Sequence, residues 1–279
     1  KVQNEFSSEQ GDKQVRFTPY FSGASIKDSV NEGLVIAIRD GRDSVTYRDL
    51  IRAKSLKDNG LPDGSTYVDR ERHSIALHEA CHAVVMYRLQ HSSVIDTATI
   101  ERRGEVGGFV KPIPLEDRFV EWRSEVEVDV MTFLASLAGE RMFYDGDHTQ
   151  GVGGDMRSAT ALVTQSFLSH AMGPQLRSFS GVINVTEGVP FEGETAKAIE
   201  AKLQELYERT VEVLEANRRE VLAVTHALET HKTLSGEETR GPLARPHLSL
   251  DDSFGCSAQA GTALGEREWL LNLHARSIN

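Results

Sequence analysis

The sequence is short of cysteine, of long apolar runs and of positive charge. Two cysteines in 279 residues, Cys81 and Cys256, cannot build a disulfide framework, which points to a reducing compartment. The longest apolar stretches, such as Leu34 to Ile38, fall far below the roughly 18 residues a membrane-spanning helix needs. No basic-then-apolar leader opens the chain, so the chain as written is expected to be soluble. Lysine and arginine number 31 against 42 acidic residues, a net charge of −11, which argues against a nucleic acid or an anionic membrane surface as partner. No G-x-x-x-x-G-K-[ST] phosphate loop occurs, and the first residue is Lys1, not Met, which suggests a fragment or a processed product. What is there is globular: 39% hydrophobic and 26% charged residues, room for one large domain or two small ones.

Residues 1–16 are polar without periodicity and are expected to be a disordered leading segment. Ser22 and Ser25 are candidate N-caps for a helix carrying Ile26, Val30, Leu34, Ala37 and Ile38, and Thr46 to Asp49 is a capping box for a second. Asn59, Gly60, Pro62, Asp63 and Gly64 form a turn-rich break, the best domain boundary in the chain. Beyond it a helix is expected over about Asp69 to Leu89, then a β-hairpin from Thr97 to Arg102 and Phe109 to Ile113. Val126, Val130, Leu134 and Leu137 mark a further helix that stops in the Gly/Asp-rich loop Tyr144 to Gly154, and another starts at Asp155. Ile199, Leu203, Leu206 and Val213 give a long amphipathic helix, Val221 to Leu228 a partner, and Ser235 to Glu238 a last capping box. Residues 241–279 lack a period and read as a tail. The fold class is therefore mainly α with a small β-hairpin.

The sharpest motif is His78-Glu79-Ala80-Cys81-His82, an H-E-x-x-H within the expected helix. At i, i+4 both imidazoles share one helix face, with Cβ atoms about 5–6 Å apart, so both can reach one ion. A zinc ion there lowers the pKa of water and polarises a peptide carbonyl, while Glu79 moves the proton to the leaving amine. The plain alternative is two buried or partner-bonded histidines on an ordinary helix. A catalytic zinc usually takes a third protein ligand. Val85 and Arg88 stand where an extended metzincin pattern needs Gly and His, which excludes that class. Asp145, Asp147, His148 and Asp155 have suitable donors; Asp155, after Gly153 and Gly154, is equally readable as a ligand or as a helix N-cap. Cys81 points about 100° away from His82 and reads as a small core residue. Gly108 to Pro112 is either an edge strand that pairs with an extended peptide or an ordinary hairpin strand.

The ordered set of segments resembles the C-terminal half of the FtsH family of ATP-dependent, membrane-anchored zinc metalloproteases. Phe21 to Gly33 and Val45 to Leu50 resemble the helical lid of an AAA ATPase, and His78 to Ala83 resembles the family's zinc helix. Gly151 to Met156 with Ala159-Thr160 resembles the segment that supplies its aspartate ligand, and similarity continues through Tyr207 to Arg209, Leu214 to Asn217 and Leu234 to Glu238. The resemblance implies a lid over residues 17–62 and a zinc peptidase domain over 63–240. It implies zinc held by His78, His82 and Asp155, with Glu79 as general base and then general acid. It also implies hexameric rings, homo- or hetero-oligomeric, degrading unfolded or membrane proteins. ATP would act only through an ATPase domain that this chain does not contain, and the membrane anchor would lie upstream of Lys1, with the peptidase on the cytoplasmic, stromal or matrix face. The chain departs from the family at Cys81, where glycine is usual, and at Leu137 to Arg141, which match a Gly-Gly-Arg-x-x-Glu-Glu stretch only loosely. A non-catalytic subunit acting as a ring scaffold is the competing reading, against which the intact Glu79 speaks.

Overall fold

A computed structural model describes residues 3–4, 22–104, 106–116, 118–176, 178 and 193–244. The expected leading segment, apart from Gln3 and Asn4, and the tail beyond Ala244, with Cys256, lie outside the described residues. Strand β1 (Gln3–Asn4) pairs in parallel with β2 (Ser44–Val45). Between them in sequence, helix α1 (Gly23–Arg39) starts at Ser22, whose side chain accepts from the Ser25 amide. The face it buries is Ser29, Gly33, Ile36 and Ala37. Ile26, Val30 and Ile38 of the expected stripe are exposed instead. The reason is close packing against helix α2 (Tyr47–Asn59): a Cβ on Gly33 would approach Leu50 Cδ2 to 3.0 Å, so the smallest residue turns inward. Asp49 closes the capping box of α2 by accepting from the Thr46 amide and hydroxyl, and it also accepts two hydrogen bonds from Arg42, at 2.6 and 2.7 Å.

Residues 60–68 cross without a regular element to helix α3 (Asp69–Leu89), which is enclosed on nearly all sides. Ala76, Leu77, Ala80, Cys81, Ala83, Val84 and Val85 are all fully buried. Such a helix shows no single apolar stripe, because its neighbours surround it. Strand β3 (Ser93–Thr99) follows and pairs antiparallel with β4 (Phe109–Pro114). The hairpin exists, but its first strand begins four residues before the expected Thr97, and the pairing skips Asp96 as a bulge. Ile100 to Arg102, expected as its end, lie outside the strand, and Ile100 donates to the Lys232 carbonyl at 2.8 Å.

Helix α4 (Arg123–Phe143) buries its stripe Val126, Val130, Leu134 and Leu137 and ends at Tyr144, as its sequence predicts. A single 3₁₀ turn (Gln150–Val152) leads into helix α5 (Gly153–Leu168), which starts two residues before Asp155. Helix α6 (Gly193–Ala216) buries Ile199, Leu203, Leu206 and Leu214, and helix α7 (Arg218–His231) buries Val221, Val224 and Leu228. Strand β5 (Thr233–Ser235) joins the other edge of β3, so the hairpin becomes a three-stranded antiparallel sheet in the order β4-β3-β5. Helix α8 (Gly236–Leu243), capped by Ser235 and Glu238, runs past Gly241 and buries Leu243 completely. One continuous core joins α3, β3 and helices α4 to α8. At about 1.5–3 kcal/mol for each buried Leu or Val, it is the main source of cohesion. Lys54 of α2 reaches across to Asp96 on β3 at 2.5 Å, and both are largely removed from solvent.

Candidate metal centre

The site is built where α3, α4 and α5 meet. His78 and His82 are one turn apart on α3, with ring centroids 4.9 Å apart and planes at 70°. Asp155, in the first turn of α5, points its Oδ2 at both: 3.0 Å to His78 Nε2 and 3.2 Å to His82 Nε2. Its side chain therefore does not act as an N-cap. The donor atoms of the three residues all lie within 4.8 Å of one another.

Each donor is oriented from behind. His78 Nδ1 bonds Glu140 Oε1 at 2.9 Å, His82 Nδ1 donates to the Thr132 carbonyl at 2.7 Å, and Ser136 Oγ donates to Asp155 Oδ2 at 2.7 Å. Bonds at Nδ1 leave both Nε2 atoms facing the common point, the arrangement typical of metal-ligating imidazoles. Glu140, only 1% exposed, also accepts from the Thr149 amide and hydroxyl, which pins the loop before α5 to α4. Glu140, Ser136 and Thr132 are contributions that sequence spacing did not reveal. Only Glu140 carried a signal, as part of the loosely matched stretch Leu137 to Arg141.

The electrostatics favour positive charge at this point. Burial disfavours charging His78, but hydrogen bonds to Asp155 and Glu140 outweigh it and hold the ring up at about 10. Burial likewise opposes ionising Asp155, yet the bonds from His78 and His82 hold its carboxyl well below the usual range. A cluster of two imidazoles and one carboxylate, with ring tautomers fixed from behind, fits a divalent zinc ion that retains an open position.

Glu79 is buried beside the cluster, and that burial raises its carboxyl, against the pull of His82 and His78. Gly108, at the start of the sheet edge, lies against it: a Cβ there would come within 2.7 Å of Glu79 Oε1 and of the Thr99 carbonyl. Cys81 is fully buried with its thiol pushed up by that burial, so it is a packing residue facing Gly139 and not a thiolate donor. Asp145, Asp147 and His148 are exposed on the loop before α5 and are not part of the three-residue donor cluster. All three nevertheless line the same cleft of about 2050 Å³ as His78, Glu79, His82 and Asp155. Gly107 to Val110 and Pro112 of the β4 side line it too, and β4 is an edge strand of its sheet.

A helix-borne H-E-x-x-H pair with an aspartate from a second helix, in a mainly α scaffold, offers the type of donor set that zinc metallopeptidases use. Residues 65–241 match the profile of peptidase family M41, and the chain belongs to that family. It is similar to the ATP-dependent zinc metalloprotease FtsH 2 of Symbiobacterium thermophilum, 30% identical over 242 residues, covering 82% of this chain and 40% of the relative. It is also 30% identical over 241 residues to the ATP-dependent zinc metalloprotease FtsH of Staphylococcus haemolyticus, covering 80% of this chain and 33% of that protein. The ATP-dependent zinc metalloprotease YME1L1 of Mus musculus is 30% identical over 241 residues, covering 84% of this chain and 33% of its own length. The chain thus spans less than half the length of these relatives. Among the described residues no helix is long and apolar enough to cross a membrane.

Proposed function

We propose that this chain is a zinc-dependent endopeptidase unit that hydrolyses peptide bonds in unfolded or membrane-derived polypeptides. The observation that carries the proposal is the convergence of His78, His82 and Asp155 within 4.8 Å beside a buried Glu79. Zinc bound by these three residues would supply Lewis acidity toward water and the peptide carbonyl. Glu79 then accepts a proton from the attacking water and returns it to the leaving amine nitrogen, a role suited by the upward push of burial on its carboxyl. Among the described residues β4 is an edge strand, along which an extended substrate can be laid beside that carboxylate.

The relatives are named as ATP-dependent. We extend this to a full-length protein in which residues 17–62 are the lid of an ATPase domain, residues 63–240 are the peptidase domain, and a membrane anchor and a hexameric ring, homo- or hetero-oligomeric, deliver substrate. The test is to measure bound zinc and casein cleavage for the wild-type chain, Glu79→Gln and Asp155→Ala. Glu79→Gln should keep its zinc and lose cleavage, and Asp155→Ala should lose both. Cleavage that survives Glu79→Gln with metal retained would sink the assignment, and metal lost from His148→Ala but not from Asp155→Ala would move the third ligand.

A further inference from the structure

Asp129 is a half-buried carboxylate that the proposed chemistry does not use. It stands on α4 three residues before Thr132 and seven before Ser136, the residues that hold His82 and Asp155, and it lines the same cleft. The bonds His78 to Glu140, His82 to Thr132 and Gln90 to Asp129 are successive rungs between α3 and α4, so Asp129 lies farther along the cleft from the metal cluster. At about 1.5 Å per helical residue it is about 10 Å along α4 from Ser136. An extended chain advances about 3.3 Å per residue, so that span corresponds to about three substrate residues.

The environment of Asp129 differs from that of its neighbours. Glu125 is paired with Arg118 at 2.6 Å and Glu127 with Lys202 at 2.9 Å. Asp129 accepts one bond from the Gln90 amide, at 2.9 Å, and among the described residues no cation neutralises it. Burial, reinforced by Glu121 and Glu125, pushes it up to about 6, which leaves it ionised at neutral pH and in need of a positive partner. Met86, Val110, Pro112 and Phe133 line the same cleft and offer apolar walls for a long aliphatic stem.

We propose that Asp129 is a specificity-determining residue that selects a lysine or arginine side chain of the substrate within about three residues of the cleaved bond. The inference rests on the peptidase reading above. Its test uses the zinc-loaded full chain and peptide sets that carry lysine, norleucine or glutamate at each position up to three on either side of the bond. One position should favour lysine, and Asp129→Asn should lower the lysine-to-norleucine ratio of kcat/KM about tenfold, with Asp129→Lys reversing the preference toward glutamate. The second readout is peptide binding to the Glu79→Gln protein by fluorescence anisotropy, where the lysine peptide should bind about tenfold tighter and Asp129→Asn should erase the difference. A ratio that Asp129→Asn leaves unchanged, or an absence of lysine preference in cleavage and binding, overturns the proposal. Absence of all cleavage overturns the peptidase reading, and the binding comparison then still decides whether Asp129 selects a cation.

Discussion

Gly139 and Cys81 offer a quantitative test of how tightly helix α3 is set against α4. Both lie in the continuous core, and Cys81 is fully buried. A Cβ added at Gly139 would meet Cys81 Cβ at 3.0 Å and its Sγ closer still, well inside van der Waals contact. Two effects oppose each other in Gly139→Ala. Replacing a mid-helix glycine favours the helix by about 1 kcal/mol. Overpacking a filled core costs about 1–3 kcal/mol, and a clash with a fully buried thiol between two rigid helices belongs at the upper end. The expected net is a loss of about 2 kcal/mol, or about 4–8 °C in melting temperature for a protein of this size. Because Cys81 lies between His78 and His82, the same shift should weaken zinc binding. The assay is a double-mutant cycle of Gly139→Ala and Cys81→Ala, followed by thermal melts of the zinc-loaded chain and zinc titration of the chain stripped of metal. In the Cys81→Ala background the cost of Gly139→Ala should fall below about 1 kcal/mol, a coupling of more than 1 kcal/mol for residues in contact. Stabilisation by Gly139→Ala, or additive effects in the cycle, would refute the packing argument.

Further expectations follow from the same contacts. Glu140→Gln and Ser136→Ala, which loosen the groups behind His78 and Asp155, should each weaken zinc affinity by about 10–100-fold in a competitive chelator titration, while the fold measured by circular dichroism is kept. Lys54→Met removes one half of a largely buried ion pair and leaves Asp96 unpaired, which should cost about 3 kcal/mol in urea unfolding, with most of it recovered in Lys54→Met/Asp96→Asn. Gly108→Ala should reduce cleavage severely while zinc content is unchanged, since the added methyl must displace the Glu79 carboxylate. Asp129, lifted to about 6 by burial and neighbouring acids, binds its proton more tightly in the folded state than in the unfolded chain. Stability is therefore lost as pH rises from about 4 through 6, and Asp129→Asn should be more stable than wild type by about 1 kcal/mol at pH 7 after solvent screening, with no advantage near pH 3.5.

Local signals were legible in the sequence where the physics is local. The capping boxes at Thr46/Asp49 and Ser235/Glu238, the N-cap at Ser22 and the stripe of α4 all involve residues within a turn or two of one another. The i, i+4 placement of His78 and His82 is of the same kind. Features set by distant partners were not legible. The inward face of α1 is chosen by Leu50 and Val45 packing on Gly33, so of its expected stripe only Ala37 and, in part, Leu34 turn inward while Ile26, Val30 and Ile38 are exposed. The start of β3 depends on Pro114 pairing with Ser93 across the hairpin, and three-residue β5 is too short to show an alternation of its own. At the site, spacing left Asp155 open between cap and ligand because its carboxylate is aimed by helices 19 or more residues away, through Ser136 and the two histidines. Glu140 reaches His78 over 62 residues of sequence, a relation that a single chain of letters does not display.

The account stands on zinc being held by His78, His82 and Asp155, with one coordination position open beside Glu79. Anomalous diffraction at the zinc edge from crystals of the zinc-loaded chain measures this directly. The account predicts one strong peak about 2.0–2.2 Å from an Nε2 of each histidine and an oxygen of Asp155, with no fourth protein ligand. A peak bound by His148 or Asp147, or a fourth side chain closing the coordination, would contradict it.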